Sequence, residues 1–217
     1  MQVYVDSADP ADWLHHPGVP RLAGATTNPT LVHQTGRAVT LATCSHLLNA
    51  AAAAGLPALM LQLPQPDVAE GLAWSRALRH EAAGQLALTF KLPCTPNWQP
   101  LVRALIDDGA ETLLTALSNP VQLLWAAECG VTWVAPYLGR MEAAGRDVWP
   151  LVEACVAVQR SGGPRLLAAS IRTGEALAKL VACGAAGVTL RPQFLLGHAH
   201  DPLTEEATAQ FARDAGF

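Results

Sequence analysis

The chain of 217 residues is 51% hydrophobic and only 15% charged, so it is long enough to bury one substantial core. Its formal net charge of -4 and isoelectric point of about 5.9 argue against a surface specialised for nucleic acid or acidic lipid. No apolar run approaches the roughly 20 residues that span a membrane, and the N-terminal segment soon turns polar, unlike a signal peptide, so we expect a soluble cytoplasmic protein.

Short apolar runs typical of strands alternate with alanine- and leucine-rich helical patterns along the chain. In chain order, strands are predicted at residues 2–5, 22–25, 58–63, 86–92, 111–114, 132–135, 165–168 and 186–190. Helices are predicted between them near residues 10–15, 41–54, 67–83, 100–108, 120–128, 148–160 and 173–182, with a final helix near 204–214. Gly55, Gly84 and Gly130 stand where three of these helices should stop.

This alternation predicts right-handed β-α-β units and therefore a parallel sheet. Eight repeats within 217 residues favour a closed (β/α)8 TIM barrel of the α/β class, followed by a C-terminal helix. The alternative is an open doubly wound sheet, which would usually carry a glycine-rich phosphate loop after its first strand. Here Asp6, Ser7, Ala8 and Asp9 follow that strand instead. No linker divides the chain, so residues 1–217 are expected to form a single domain.

Polar or ionisable side chains stand at the ends of most predicted strands. In a barrel of this type the active site lies at the carboxyl ends of the strands. The residues expected there are Asp6, Thr26, Asn28, Gln62, Lys91, Thr115, Tyr137, Arg140, Ser170 and Arg172. Turn and capping roles can explain the threonines and the asparagine, but they explain the whole set poorly.

Lys91 is the most informative member of this set. It is one of only two lysines and lies in the apolar run 86–93, whereas Lys179 lies in an ordinary helical pattern. An ammonium ion in apolar surroundings is costly, and burial favours the neutral amine that attacks a carbonyl. Lys91 is therefore a candidate Schiff-base nucleophile. The alternative is a structural lysine whose stem packs on the core while its amine reaches solvent.

Arg140, Ser170 and Arg172 form a second group near the ends of strands six and seven. Two forked guanidinium groups and a hydroxyl suit a phosphate, and barrels frequently bind phosphate with the loops after their last two strands. The alternative is that either arginine makes a structural salt bridge.

The cysteines and histidines give no indication of a metal or redox site. The five cysteines are odd in number, are scattered and contain no C-x-x-C pair, which predicts reduced and mostly buried thiols. His198 and His200 form an H-x-H pair, but no further ligand cluster stands near them, so we expect surface histidines and no metal.

Five motifs resemble those of the transaldolase family, and most closely its small branch that contains fructose-6-phosphate aldolase. They are Val-Tyr-Val-Asp at residues 3–6, Ala-Thr-Thr-Asn-Pro at 25–29, Phe-Lys-Leu-Pro at 90–93, Ala-Pro-Tyr-Leu-Gly-Arg at 135–140 and Ala-Ala-Ser-Ile-Arg-Thr at 168–173. The resemblance runs from Met1 to the C-terminal helix, with the motifs in the same order and at similar spacing.

This resemblance implies a role for each candidate residue. Lys91 would form an iminium with a ketose or dihydroxyacetone-type carbonyl, without any cofactor. Asp6 and Asn28, next to Thr26, would contact donor hydroxyls, and a phosphate on the acceptor aldehyde would bind Arg140, Ser170 and Arg172. The water or hydroxyl that transfers protons would be positioned by Gln62, Thr115 and Tyr137.

Two positions discriminate within the family. Transaldolases are similar to one another in having Glu where this chain has Gln62 and Phe where it has Tyr137, so the Gln/Tyr pair resembles fructose-6-phosphate aldolase. Gly139 and Arg172 follow the transaldolase-like version of their motifs, and residues 96–98 after Lys91 depart from the small-acidic-glycine continuation usual in the family.

The sequence therefore predicts a class I aldolase acting on the C3–C4 bond of a ketose phosphate such as fructose 6-phosphate. Its donor would be dihydroxyacetone and its acceptor glyceraldehyde 3-phosphate. The alternatives are a transaldolase that moves the three-carbon unit between aldoses in the pentose phosphate pathway, and a non-catalytic sugar-phosphate-binding barrel.

The resemblance also implies a homo-oligomer of five or ten subunits in which the C-terminal helix reaches a neighbour. That helix carries Leu203, Ala207, Phe211 and Ala215 at a spacing suited to docking. The sequence does not decide whether the helix docks on its own barrel or on another.

Overall fold

The computed structural model describes residues 1–216, in which eight parallel strands close into a barrel in chain order. The strands are β1 (Gln2–Asp6), β2 (Gly24–Thr26), β3 (Ala58–Gln62), β4 (Ala87–Pro93), β5 (Glu111–Leu117), β6 (Trp133–Pro136), β7 (Arg165–Ala168) and β8 (Gly187–Leu190). The helices are α1 (Pro29–Gln34), α2 (Leu41–Ala53), α3 (Val68–Ala82), α4 (Gln99–Asp107), α5 (Pro120–Cys129), α6 (Leu138–Ala143), α7 (Trp149–Arg160), α8 (Gly174–Cys183), α9 (Pro192–Gly197) and α10 (Pro202–Asp214). The predicted (β/α)8 barrel is confirmed, and the open-sheet alternative is wrong.

The hydrophobic core has two parts. The larger lies between the strands and the helices around them, where residues such as Leu48, Phe90 and Leu101 are fully buried. The smaller part, called the interior layer, fills the inside of the barrel with Tyr4, Met60, Leu113, Trp133, Ala135 and Leu167. Tyr4 and Trp133 meet edge to face at 6.2 Å between ring centroids. The interior layer fills the middle of the barrel, so the space inside the barrel at the carboxyl ends of the strands lies above it.

Four of the predicted site residues point into the barrel directly above the interior layer because of the two-residue period of their strands. Side chains in a strand alternate between the two faces, so a residue two positions after an inward one also points inward. Asp6 follows Tyr4 in this way, Gln62 follows Met60, Thr115 follows Leu113 and Tyr137 follows Ala135. The parallel register places Gln62 opposite Lys91 and Asp6 opposite Thr26.

Three helices that the sequence did not predict are six residues long and begin directly after a strand end. α1 starts after Asn28, α6 after Tyr137 and α9 after Arg191. A helix this short covers less than two turns, so it shows no hydrophobic period in the sequence. These three helices fix the backbone of the residues that surround the cleft.

Other predicted elements need smaller corrections. The predicted helix near residues 10–15 is a 3-10 helix over Pro10–Trp13, capped by the side chain of Asp9. β2 begins at Gly24 and not at residue 22. β5 runs on to Leu117, three residues beyond its predicted end, with a bulge at Ala116, whose φ is 63°.

All five cysteines are free, and four of them are buried, as predicted. Burial raises the pKa of Cys94 and of Cys155 to about 12, so both thiols stay protonated at neutral pH. No helix within residues 1–216 is both long enough and apolar enough to cross a membrane.

α10 has no buried side chain in the part of the chain that the structure describes. Leu203 and Phe211 are 76% and 69% exposed. The apolar face expected from the sequence is therefore present on α10, and its docking in a homo-oligomer of five or ten subunits stays a prediction.

Candidate active site

A cleft of about 300 Å³ opens at the carboxyl ends of the strands. Seven of the ten predicted site residues line it: Asp6, Asn28, Lys91, Tyr137, Arg140, Ser170 and Arg172. Thr189 and Arg191, which the sequence did not single out, line it as well. A second cavity of about 350 Å³, between residues 13–22 and 54–56, lies toward the opposite end of the barrel and holds none of the predicted residues.

Lys91 lies on β4 with only 3% of its surface exposed. Its Nζ donates a hydrogen bond of 2.6 Å to the backbone carbonyl of Thr27, and within residues 1–216 it has no carboxylate partner. Thr27 is itself held, because its amide donates to the Met60 carbonyl at 2.9 Å. The amine therefore faces the cleft from a buried position, which differs from the solvent-reaching alternative. The role of Lys91 as a Schiff-base nucleophile stays a prediction.

Asp6 ends β1 and is bound from the barrel side by Thr26. The Thr26 hydroxyl donates to Asp6 Oδ1 at 2.8 Å and lies 2.6 Å from the Thr189 hydroxyl. Thr26 is fully buried and does not line the cleft, so it contacts the site through Asp6 and Thr189. Thr26 was predicted among the substrate-binding residues, and the structure places it one layer behind them.

Asn28 caps α1 and lines the cleft at the same time. Its Oδ1 accepts a hydrogen bond from the Leu31 amide at 3.0 Å, as helix-capping asparagines do. That bond fixes the plane of the side-chain amide. The Nδ2 group makes no hydrogen bond within residues 1–216, so it is available to donate to a substrate oxygen.

Gln62 and Thr115 belong to the same inward layer but are not part of the cleft wall. Gln62 is half-buried beside Lys91 in the strand register. Thr115 Oγ1 is buried and finds no hydrogen-bond partner among residues 1–216. An unpaired buried hydroxyl is costly and commonly marks a place where a polar group binds. The roles predicted for both residues stay predictions.

The side of the cleft around β6 and β7 presents two guanidinium groups and a hydroxyl. The Gly139 amide donates to the Ser170 carbonyl at 3.0 Å, which ties the start of α6 to the end of β7. Arg140 lies over the Tyr137 ring at 4.9 Å from its centroid. Neither Arg140 nor Arg172 makes a salt bridge within the described residues, unlike the structural alternative. Both cations are therefore available to an anionic ligand.

Ser170 adopts a backbone conformation that few residues other than glycine take. Its φ is 62°, in the left-handed region, which costs on the order of 1 kcal/mol for a residue with a Cβ. Strain of this kind persists where the surrounding structure fixes it, and here the Gly139 amide holds the Ser170 carbonyl. The turn leaves the hydroxyl in the cleft wall, beside Arg172.

Arg140, Ser170 and Arg172 are together called the phosphate cradle. Gly139 packs directly against two of its members, Ser170 and Arg172. A Cβ at this position would lie 2.5 Å from Ser170 O and 2.6 Å from Arg172 Nε. We expect Gly139→Ala to raise the KM for a phosphorylated substrate by about tenfold, because both groups must shift and one charged contact is worth on the order of 1.5–3 kcal/mol. Steady-state kinetics checks this. Gly197→Ala is the matched control, since a Cβ there meets nothing within 4 Å; equal KM values in the two variants would contradict the expectation.

The charges around the cleft are unlike those of the chain as a whole. Lys91, Arg140, Arg172 and Arg191 line it together with one carboxylate, Asp6, although the chain carries a formal charge of -4. Such a local excess of positive charge attracts anions. No group of three or more potential metal-binding side chains occurs in residues 1–216. His198 stacks on Phe194, and His200 pairs with Glu205 on the surface.

A buried lysine, a carboxylate and three arginines line a cleft at the carboxyl ends of the strands, where α/β barrels hold their active sites. A family model described as Transaldolase/Fructose-6-phosphate aldolase matches residues 3–216, and the chain belongs to this family. It is an enzyme of the aldolase or transaldolase type, so the non-catalytic alternative is wrong. The family membership expected from the motifs is confirmed.

Curated relatives support the same assignment over the full length of the chain. A protein of Anaeromyxobacter sp. (strain K), described as a probable transaldolase, is 28% identical over 99% of this chain and 96% of its own. Others of the same description come from Caulobacter sp. (strain K31), at 29% identity, and from Geobacter sulfurreducens, at 25%, each over 99% of this chain. They cover 96% and 97% of their own lengths.

Among solved structures, the chain is similar to orotidine 5'-monophosphate decarboxylase from Sulfolobus solfataricus. The TM-score is 0.57 at 12% identity, over 91% of this chain and 95% of that one. At this identity the similarity shows the barrel fold alone.

Proposed function

We propose that this protein is a class I aldolase that cleaves and forms the C3–C4 bond of a ketose phosphate such as fructose 6-phosphate. Its donor is dihydroxyacetone and its acceptor is glyceraldehyde 3-phosphate. One observation carries the proposal: the buried amine of Lys91 opens into the same cleft as Asp6, Tyr137 and two arginines that have no ion-pair partner among residues 1–216. No cofactor is needed, because the lysine itself supplies the electron sink.

The first step is formation of the Schiff base. Neutral Lys91 Nζ attacks C2 of the ketose, and the resulting carbinolamine loses water to give a protonated iminium. No carboxylate within residues 1–216 pairs with the amine, so attack does not require an ion pair to break. The Thr27 carbonyl, 2.6 Å from Nζ, holds the amine in one place. The iminium withdraws electrons from C3, which prepares the C3–C4 bond for cleavage.

Cleavage requires a base for the hydroxyl proton on C4. Among the described residues, Asp6 is the only carboxylate that lines the cleft. Thr26 donates a hydrogen bond to its Oδ1, whereas Oδ2 has only a 3.5 Å ion-pair contact with Arg191. Its Oδ2 is therefore the atom we assign to this proton. Removal of the proton lets C4 become the aldehyde carbon, and the electron pair of the C3–C4 bond forms the enamine. Glyceraldehyde 3-phosphate then leaves.

The fate of the enamine separates an aldolase from a transaldolase. An aldolase protonates C3 and hydrolyses the iminium, which frees dihydroxyacetone. Tyr137 supports this outcome, because it places a phenol in the cleft wall as a proton donor or relay. Gln62 and Thr115, in the same inward layer as Tyr137, are proposed to position the water that completes hydrolysis.

The phosphate of the acceptor aldehyde is proposed to bind Arg140, Ser170 and Arg172. The two guanidinium groups lack salt-bridge partners within residues 1–216 and can form charge-assisted hydrogen bonds to phosphate oxygens. Asn28 Nδ2 is assigned to a donor hydroxyl on the other side of the cleft. This arrangement orients the ketose with its phosphate end toward β6 and β7.

A transaldolase is the second candidate, because the curated relatives are described as probable transaldolases. In that reaction the enamine attacks a second aldose before it can be protonated. The Schiff base, the base for C4–OH and the phosphate cradle are the same in both reactions.

Two feeding experiments separate these candidates. With dihydroxyacetone and glyceraldehyde 3-phosphate alone, an aldolase forms fructose 6-phosphate, and we expect that product here. A strict transferase forms nothing from this pair. It forms sedoheptulose 7-phosphate when supplied with fructose 6-phosphate and erythrose 4-phosphate. Product in the second mixture together with none in the first would refute the aldolase assignment and establish the transferase.

A further inference from the structure

Arg191 lines the cleft but takes no part in the reaction steps proposed for the other cleft residues. It directly follows β8, the strand that closes the barrel against β1, and stands two positions after Thr189. Both residues line the cleft. Its guanidinium Nε lies 3.5 Å from Asp6 Oδ2. The Arg191 side chain is 48% exposed and that of Asp6 is 17% exposed. The ion pair therefore lies at the edge of the cleft, on the side of the carboxylate that faces solvent.

The other oxygen of Asp6 is held from inside the barrel in a fixed direction. An ionised carboxylate only accepts hydrogen bonds, so the single hydroxyl proton of Thr26 goes to Oδ1. The short contact with Thr189 then requires that Thr189 donates to Thr26. Both threonines are buried, so the two hydrogen bonds that link β8 through β2 to β1 lie at the floor of the cleft and not at its rim. Arg191 contacts Oδ2, the carboxylate oxygen of Asp6 to which Thr26 does not donate.

The backbone of Arg191 is fixed on both sides. Leu190 before it is paired with β1, and Pro192 after it is buried at the start of α9. A residue that precedes proline favours the extended conformation, and Arg191 has φ -63° and ψ 147°. Its carbonyl accepts from the amide of Phe194 at 3.0 Å. The side chain therefore projects from an anchored position.

Its pairing separates Arg191 from the other two arginines of the cleft. Arg140 and Arg172 make no salt bridge within residues 1–216, as expected of groups that wait for a substrate anion. Arg191 has a protein carboxylate as its partner. A half-exposed ion pair of this length contributes little to stability, so a contribution to folding does not account for it.

We propose that Arg191 is a positioning residue that holds the Asp6 carboxylate in the orientation needed to accept the C4 hydroxyl proton. Together with the Thr189–Thr26 chain, it fixes both oxygens of the carboxylate, one from inside the barrel and one from the cleft edge. The inference rests on the proposed function, because it gives Asp6 the role of base. It predicts that Arg191 affects the bond-forming and bond-breaking step and not the affinity for the phosphate.

The test compares Arg191→Gln with wild type on two acceptors that differ only in the phosphate, glyceraldehyde 3-phosphate and glyceraldehyde, with dihydroxyacetone as donor. We expect kcat to fall by on the order of tenfold with both acceptors, because misplacing a catalytic group by a fraction of an ångström costs about that much. The KM for glyceraldehyde 3-phosphate should change by less than about threefold. Arg191→Lys should recover part of kcat, since it restores the cation without the fork.

Two reference variants show what the other possible outcomes would look like. Arg172→Gln shows what loss of a phosphate contact looks like, namely a KM increase selective for glyceraldehyde 3-phosphate. Arg103→Gln removes an exposed arginine that pairs with Glu128 on the outside of the barrel, and it should behave as wild type. If Arg191→Gln follows either reference, the positioning role is refuted.

Borohydride trapping with dihydroxyacetone separates this inference from the proposed function. If borohydride traps wild type and Arg191→Gln equally while kcat falls only in the variant, Arg191 acts after iminium formation, as proposed. Failure of wild type to trap overturns the proposed function, and the inference with it. Trapping lost only in the variant would place Arg191 in iminium formation and refute its role in positioning the base.

Discussion

Replacement of Lys91 by methionine is expected to abolish covalent trapping and to lower kcat by at least about a thousandfold. The reason is that no other cleft residue carries a primary amine: Lys179, the second lysine of the chain, lies over the Trp149 ring at 3.9 Å on the outside of the barrel. Wild-type protein treated with dihydroxyacetone and borohydride should gain the mass of one reduced donor unit. Peptide mapping should place that mass on Lys91 and not on the α-amino group of Met1.

Three variants make this result interpretable. Lys179→Met is the matched control and should trap as wild type does. Lys91→Arg keeps the positive charge but cannot form an iminium, so it distinguishes covalent chemistry from a simple ionic contact. Circular dichroism should show that Lys91→Met is folded, since methionine fits a buried site that already holds the lysine stem. Trapping in Lys91→Met at the wild-type level, or activity in Lys91→Arg, would refute the Schiff-base assignment.

The barrel itself could be predicted because each of its repeats carries its own signal. A run such as Leu86–Leu92 is apolar and short, the helices are longer, and a closed parallel sheet follows from repeating the pair eight times. The strand ends could be predicted for the same reason, since the alternation of side chains carries an inward residue such as Met60 to Gln62 above it.

What the sequence did not reveal depends on contacts that only the closed barrel creates. Thr26 and Thr189 are far apart in the chain and meet only because β8 pairs with β1, next to β2. The same closure brings Arg191 to Asp6. Arg191 follows the last predicted strand directly, so the rule applied to the other strand ends would have found it. Ser170 could not be predicted to adopt a left-handed conformation, because serine has no preference for it.

The sequence also could not predict which of these residues line the cleft and which are buried behind it. Asn28 and Thr26 are two positions apart, yet the first lines the cleft and the second is buried behind Asp6. Gln62 and Thr115 end their strands in the expected layer but lie outside the cleft wall. Position along a strand fixes the direction of a side chain, whereas neighbouring side chains decide whether it reaches the substrate.

Tyr137→Phe is expected to change the reaction that the enzyme performs. The substitution removes the hydroxyl but keeps the ring that lies beneath Arg140, so the phosphate cradle should remain in place. Loss of a general acid or relay typically costs about 10²–10⁴-fold in the step it serves. We therefore expect release of dihydroxyacetone from fructose 6-phosphate to fall by about a hundredfold, while iminium formation and C3–C4 cleavage continue.

The enamine that accumulates in Tyr137→Phe should then be available to a second aldehyde. With fructose 6-phosphate and erythrose 4-phosphate, the ratio of sedoheptulose 7-phosphate formed to dihydroxyacetone released should rise well above the wild-type ratio. Tyr4→Phe is the matched control, because Tyr4 is the only other tyrosine and its hydroxyl bonds Gln2 inside the barrel, away from the cleft. If release and transfer fell equally in Tyr137→Phe, the hydroxyl would act before the enamine forms, and Tyr137 would not be the group that separates aldolase from transaldolase.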